Sequence, residues 1–487
     1  MTARDEHLRQ LVHGARILVG GVWRPSGSGT TFEVQDPQDG AAIAVVGDAD
    51  RADAAEAVAA AAAAGRTWGM APNRERYEVL TRAARLLEAR REPLAQVITA
   101  ESGKPIVEAR QEAVSTFRFF DWYAQEALRM AGEHWTEVSE GRDAIVRPEP
   151  IGVVAAITPW NYPAFLVACK AAAALAAGCG VVLKPAEQTP LSALAIGRAL
   201  DEAGLPPGVL SVIPTSRPER LGDVLLGPGV DCVSFTGSRE VGELLLDRSA
   251  HDVKRVLLEL GGNAPAIVLD DADVDRAVTA LIRARFMNGG QTCVAVNRIY
   301  VTPGIADRFA TAYAEAAARL RVGPSEHEST ELGPLIEPAA IDRISAQVGR
   351  LVEQGGRIAT GGGRPDGMGE RYFAATVVLG DGSEPEASRE ELFGPVAFVQ
   401  RCQDEADAIR RANDSEYGLS AYLFTEDLGH ALEVSRRLVA GSVAINGPLA
   451  SEVQLPFGGM RASGLGRERG RAGLEAFLEL KTVHIVK

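Results

Sequence analysis

Two short segments of this chain carry residues suited to covalent chemistry on a carbonyl. In Phe286-Met-Asn-Gly-Gly-Gln-Thr-Cys293 a lone cysteine stands behind a glycine pair. In Leu258-Glu-Leu-Gly-Gly-Asn-Ala-Pro265 a carboxylate closes an apolar run and is again followed by two glycines. A thiol attacks a carbonyl, and a carboxylate deprotonates the water that later frees the product. Each group sits where an apolar strand breaks into a glycine turn, which offers a side chain to a cleft with little backbone in the way. The chain has 5 cysteines, Cys169, Cys179, Cys232, Cys293 and Cys402. Their number is odd and no pair has the two-residue spacing of a zinc or redox motif, so reduced thiols are expected. Cys179 and Cys232 fall in apolar strand-like runs and read as small buried hydrophobes. Cys293 does not.

The elements that must position these groups are legible as an alternation. Apolar strand-like runs occur at 152–157, 180–184, 209–213, 231–236 and 254–260, with helical patterns at 163–177, 190–203, 217–226 and 239–248 between them. Repeated β-α-β predicts a parallel sheet covered on both faces. A second alternating series runs from Ala266 to about 447. Ahead of the first series, residues 50–64 read as an alanine-rich helix capped by Asp48 or Asp50 and stopped by Gly65, and amphipathic patterns follow at 74–102 and 105–131. Residues 134–150 read as a two-stranded ribbon turning at Glu140-Gly141, and the final TVHIV run as a strand.

With 487 residues the chain is too long for one core, and two or three domains are expected. Its net charge of −14 argues against a nucleic-acid or anionic-membrane surface. The opening MTARDEHLRQ has no apolar core for export and no run of about 18 apolar residues follows, so a cytosolic location with no membrane partner is expected.

The Gly-x-Gly-x-x-Gly fingerprint of many dinucleotide sites is absent after the first strand, where Thr158-Pro-Trp-Asn-Tyr-Pro163 stands instead. The next strand ends in Lys184-Pro-Ala-Glu187 and the fourth in Phe235-Thr-Gly-Ser238, which opens a helix. Ligands of parallel sheets bind at the carboxyl ends of strands, so three strand ends converge on one cleft. Ser238 at a helix N-terminus suits a pyrophosphate, and Lys184 with Glu187 suits the hydroxyls of a ribose. In a plainer reading Lys184 is a surface lysine and Gly237-Ser238 a turn with an N-cap.

Taken together these segments resemble the aldehyde dehydrogenase superfamily over essentially the whole chain. The motifs are TPWNYP (158–163), KPAEQTP (184–190), FTGS (235–238), LELGGNAP (258–265), GGQTCVA (289–295), EELFGPV (390–396) and PFGG (456–459), with RASGLGRE (461–468) closest in look to the semialdehyde-oxidising branch. The resemblance implies an α/β fold of two doubly wound parallel-sheet domains with a small β oligomerisation arm. The nucleotide-binding domain would take 1–130 and 151–260, the catalytic domain 261–462, and the arm and tail 131–150 and 463–487. It implies Cys293 as nucleophile, Glu259 as general base, and Asn161 with the Cys293 N–H as oxyanion hole. Lys184 and Glu187 would bind the adenosine ribose, Gly237 and Ser238 the pyrophosphate region, and Glu391 and Phe393 the nicotinamide ribose. Thr158, Trp160 and Leu260 complete the cofactor set, and Lys170 is a supporting candidate.

The implied cofactor is NAD, with NADP possible, and the implied partners are a small aldehyde and further copies of the chain in a dimer or tetramer. Useful thiolate at neutral pH needs a thiol pKa below its free value of about 8.5. Relatives that hand the acyl group to coenzyme A usually lack the glutamate found at 259, so a free acid is the implied product. Relatives acting on succinic semialdehyde hold its carboxylate with arginines at the positions that here are Cys169 and Met287. With Tyr162, Leu166, Thr292 and Phe457, these predict a largely apolar pocket and a neutral, medium-sized aliphatic or aromatic aldehyde. The alternative is a semialdehyde held by an arginine such as Arg285 or Arg461. A non-catalytic binding protein and a redox-free thiol esterase are the competing classes. The intact Cys293, Glu259 and Asn161 argue against the first, and the KPAE and FTGS segments against the second.

Overall fold

A computed structural model describes Leu11, Gly14 and residues 16–449 and 452–487. The opening decapeptide, read above for an export signal, lies outside the described residues. The chain is α/β and is built on two large sheets. The first has eight strands, in the order Gly464–Leu465, Arg255–Glu259, Cys232–Thr236, Val153–Ile157, Gly180–Lys184, Leu210–Val212, Ile17–Val19 and Val22–Arg24. The strands from 255–259 to 210–212 run parallel, and antiparallel strands finish both edges. Continuous apolar runs such as Val153–Ile157 and Cys232–Thr236 are buried on both faces, as a helix-covered parallel sheet requires.

The second sheet has seven strands, in the order Arg357–Thr360, Thr376–Leu379, Val396–Arg401, Val296–Val301, Ala264–Val268, Ser420–Phe424 and Ser442–Ile445. All its pairings are parallel except that of 357–360. A three-stranded antiparallel sheet joins Glu133–Ser139, Arg142–Pro150 and Leu478–Val486. The ribbon and the final strand pair with each other from Leu478–Pro150 to Val486–Arg142. Among the described residues the outer edges of 133–139 and 478–486 stay unpaired. Gly464-Leu465, assigned to the tail from sequence, pairs with 255–259 instead and backs the strand that ends in Glu259.

The alanine-rich helix runs over Arg51–Met70, past the stop expected at Gly65. Its N-terminus is an Asp50/Asp53 capping box. Gly65 allows close packing instead: a Cβ there would stand 2.9 Å from Gly180 N, so the helix lies directly on the strand that leads to Lys184. The pattern at 74–102 is two helices, Asn73–Ala89 and Arg91–Ser102, and that at 105–131 is one, Ile106–Leu128.

Candidate active site

Where the parallel strand Arg255–Glu259 ends, its last side chain turns into a cavity of about 520 Å³. The cavity is lined from the first sheet by Thr236, Gly237, Ser238, Glu259 and Leu260, and from the second by Thr292, Cys293, Val294, Glu391 and Phe393. Glu259 is 4% exposed, and neither carboxylate oxygen has a hydrogen-bond partner among the described residues. The turn after it is held through backbone: Gly237 N donates to Glu259 O at 3.1 Å and Leu260 N to Ser463 O at 2.9 Å. The PFGG segment passes over the carboxylate. A Cβ at Gly458 would stand 2.8 Å from Glu259 Oε1, so glycine is what lets the backbone approach.

Cys293 follows the helix Val274–Phe286, whose end unwinds through Asn288, Gly289 and Gly290, all at positive φ. Asn161 organises this loop. Its Nδ2 donates to Gln291 O at 3.0 Å, and its own carbonyl accepts from Asn288 Nδ2 at 3.0 Å. One amide hydrogen is thus used in holding the loop, and the other remains for a ligand. Gln291 adds Nε2 to Asn288 O at 3.0 Å and accepts from Ile336 N at 3.1 Å.

Burial, reinforced by Glu259 and Glu391, pushes the Cys293 thiol up to about 12, with Arg469 pulling it down. The protein atoms alone favour the neutral thiol, so the lowering that useful thiolate needs is left to groups bound beside it. Burial, followed by Glu468, also raises the Glu259 carboxyl well above the usual carboxylate range, while Lys170 opposes the rise. Lys170 is fully buried and pairs with Glu468, which itself lines the cavity; its Nζ also donates to Ser234 Oγ at 3.3 Å.

The nucleotide-side residues divide. Gly237, Ser238, Leu260, Trp160, Glu391 and Phe393 reach the cavity, with Trp160 packed edge-on to Phe393 at 5.6 Å. Glu391 Oε1 accepts from Gly262 N at 2.9 Å, and burial pushes its carboxyl up to about 7. Ser238 caps the helix Arg239–Ala250. Thr158, Lys184 and Glu187 lie outside the cavity, at the neighbouring strand ends. Lys184, 6% exposed, stands 3.7 Å from Glu187, so it is a buried lysine paired to that carboxylate.

Of the expected pocket wall, Tyr162, Leu166, Met287, Thr292 and Phe457 line the cavity. Cys169 does not. It is buried one turn beyond Leu166, where its thiol donates to Glu468 Oε2 at 3.5 Å. Neither arginine offered for a semialdehyde reaches the cavity. Arg285 is fully buried and donates to Val296 O at 3.3 Å, Gly290 O at 3.2 Å and Leu392 O at 2.9 Å, clamping the cysteine loop to the segment after Glu391. Arg461 donates to Asn413 O at 2.9 Å and Ser415 O at 2.6 Å. Two other arginines line the cavity, Arg283 and Arg469. Arg469 lies one residue beyond the RASGLGRE motif, and its sequence neighbours give no sign that it turns inward.

This constellation, with cysteine, carboxylate and amide on one cavity between the two large sheets, has close counterparts. The pattern that defines the aldehyde dehydrogenase family matches residues 23–483, and the chain belongs to that family of NAD(P)-dependent oxidoreductases. It is similar to 3-sulfolactaldehyde dehydrogenase of Pseudomonas putida, with 43% identity over 469 residues and 96% of each chain covered. It is similar to glutarate-semialdehyde dehydrogenase of Pseudomonas putida, with 41% identity and again 96% of each covered. The crystal structure of succinate-semialdehyde dehydrogenase from Burkholderia pseudomallei superposes with a TM-score of 0.95 at 41% identity, covering 98% of this chain and 99% of that one.

Proposed function

We propose that this protein oxidises a short aldehyde bearing an anionic group to the free carboxylic acid, with Cys293 as nucleophile and Glu259 as the base that releases the product. The observation that carries the reading is the meeting of Cys293, Glu259 and Asn161 on one cavity that Gly237, Ser238, Glu391 and Phe393 also line.

The residues fit a nicotinamide dinucleotide. A helix N-terminus at Ser238 suits phosphate oxygens, and Glu391 keeps one carboxylate oxygen beyond its bond to Gly262 for a ribose hydroxyl. Bound NAD(P) supplies a hydride acceptor. Cys293, as the thiolate left when its proton passes to water, adds to the aldehyde carbon, and the carbonyl π-electrons move to oxygen. The free Nδ2 hydrogen of Asn161 and the Cys293 N–H receive that oxyanion; one such donor is worth roughly 2.7–4 kcal/mol of barrier. When the oxyanion collapses, the carbon loses hydride and a thioester remains on Cys293. Water then attacks the thioester as Glu259 takes its proton, and the acid leaves with the sulfur regenerated as thiolate. Thiol ionisation in a site that holds the free thiol near 12 requires positive charge close by once cofactor and substrate are in place.

The anionic substrate is supported by two features. Its relatives are named for sulfonated and carboxylated aldehydes, and the guanidinium groups of Arg283 and Arg469 line the cavity beside Glu108, Glu112, Glu259, Glu391 and Glu468. The test is kcat/KM with NAD and with NADP for succinic semialdehyde, hexanal and benzaldehyde. The acid is expected to win by more than about tenfold, roughly 1.4 kcal/mol. A neutral aldehyde matching it would return the substrate to the apolar class.

A further inference from the structure

Arg469 is a cation with unusual provision made for it. Its backbone sits at φ 61°, ψ 171°, a region essentially reserved for glycine, and it does so immediately before the helix Gly470–Glu475. Such conformations persist where the surrounding structure over-determines them, and they cluster at ligand clamps. The guanidinium carbon lies 4.8 Å from the Phe165 ring centre and 4.2 Å from that of Phe457, so the group is held between two aromatic rings in the cavity wall. Aromatic faces orient a guanidinium but do not satisfy its N–H donors.

Those donors are not taken up by protein acceptors, although the charge acts through space on Glu259 and Cys293. Among the described residues Arg469 makes no ion pair and no side-chain hydrogen bond, and its Nε is sealed from solvent without a partner. The adjacent Glu468 is committed to Lys170, and Glu475 to Arg471. The other cavity arginine differs. Arg283 is exposed at the C-terminal end of the helix Val274–Phe286, with Gln111 Oε1 at 3.5 Å from Nη2.

We infer that Arg469 is the specificity-determining residue of the site, a preset fork that binds the terminal oxyanion, carboxylate or sulfonate, of the substrate. This rests on the anionic-aldehyde reading above and names the residue that carries it. The cation reaches the substrate from the segment after Gly464-Leu465, while positions 169 and 287 are left to Cys169, buried outside the cavity, and Met287, an apolar part of its wall. A planar fork pairs bidentately with either oxyanion.

The test compares succinic semialdehyde and sulfoacetaldehyde with butanal, a neutral aldehyde of the same four-carbon length as the first, in wild type, Arg469→Gln, Arg469→Lys and Arg283→Gln. Arg469→Gln is expected to lower the acid-to-butanal ratio of kcat/KM roughly tenfold to a hundredfold, the span of a lost charge-assisted hydrogen bond, mainly through KM of the charged aldehydes. The ratio cancels any general effect on Cys293. Arg469→Lys should recover part of the loss and, if the glutamine variant does not fold, gives the same comparison with a smaller drop. Loss confined to one of the two acids would assign the fork to that oxyanion. An active Arg469→Gln with an unchanged ratio, or a larger drop in Arg283→Gln, would overturn the inference and leave the parent reading standing. A wild type that oxidises none of the three aldehydes with NAD or NADP would refute the parent reading, and this one with it.

Discussion

Replacing Glu259 by glutamine should separate the two halves of the reaction. The substitution preserves shape at a position that is 4% exposed, and the contacts that hold the turn, Gly237 N to Glu259 O and Leu260 N to Ser463 O, use only backbone. What is lost is the base. A positioned general base contributes roughly a hundred- to ten-thousandfold, or about 3–5 kcal/mol. The upper part of that range is expected, because Glu468, the carboxylate that acts on Glu259, is tied to Lys170 and is not free to substitute. The thiol step should not suffer, since Glu259 is one of the carboxylates that raise the Cys293 thiol. Stopped-flow absorbance of NADH, with enzyme at high concentration, should show a burst at least as fast as wild type followed by slow turnover. Loss of the burst together with turnover would refute the reasoning and make Glu259 the activator of the thiol or a structural group.

Because burial and Glu468 raise the Glu259 carboxyl, its basic form grows as pH rises through that raised pKa; the rate of acyl release should climb with pH near neutrality, and a flat profile in wild type would contradict this. Cys293→Ala should abolish aldehyde oxidation while NADH binding, followed by fluorescence, is retained; turnover with substrate label on another cysteine would sink the assignment. NAD should be preferred to NADP, because Glu187, 3.7 Å from Lys184, would repel a 2′-phosphate at that ribose; Glu187→Ser should raise the NADP-to-NAD ratio of kcat/KM, and an unmoved ratio would remove Glu187 as the selector. The free outer edges of 133–139 and 478–486, with Trp135, Leu480 and Val486 exposed on them, should be covered by another copy of the chain; light scattering should give a dimer or tetramer, and a monomer mass, or an assembly unchanged by deleting 478–487, would count against it.

How far the sequence is readable depends on how local the physics is. The strands ending in Ile157, Lys184, Thr236 and Glu259 are continuous apolar runs bounded by turns, so both their existence and their carboxyl ends are legible, and with them the convergence of Glu259, Gly237 and Ser238. Cys293 is legible for the same reason: a polar segment with paired glycines is a poor place for a buried structural thiol. Gly65 reads as a stop in the sequence because a glycine that ends a helix and one that lets a helix touch a strand look alike until Gly180 is seen beneath it. Part of the pocket wall depends on longer-range packing. Cys169 is one turn from Leu166, yet it faces Glu468 instead of the cavity. Arg285 looked available and is spent on backbone carbonyls. Arg469 reaches the cavity only through a positive-φ backbone, which nothing in its neighbours encodes.

The central claim is that the aldehyde carbon becomes a thioester on Cys293 before water releases it. The direct measurement is acid quenching of Glu259→Gln during its burst with NAD and succinic semialdehyde, followed by intact-mass analysis and peptide mapping. The account predicts one succinyl group per subunit, on the peptide that carries Cys293, accumulating in step with NADH. NADH formed with no acyl adduct, or with the adduct on Cys169, Cys179, Cys232 or Cys402, would contradict it.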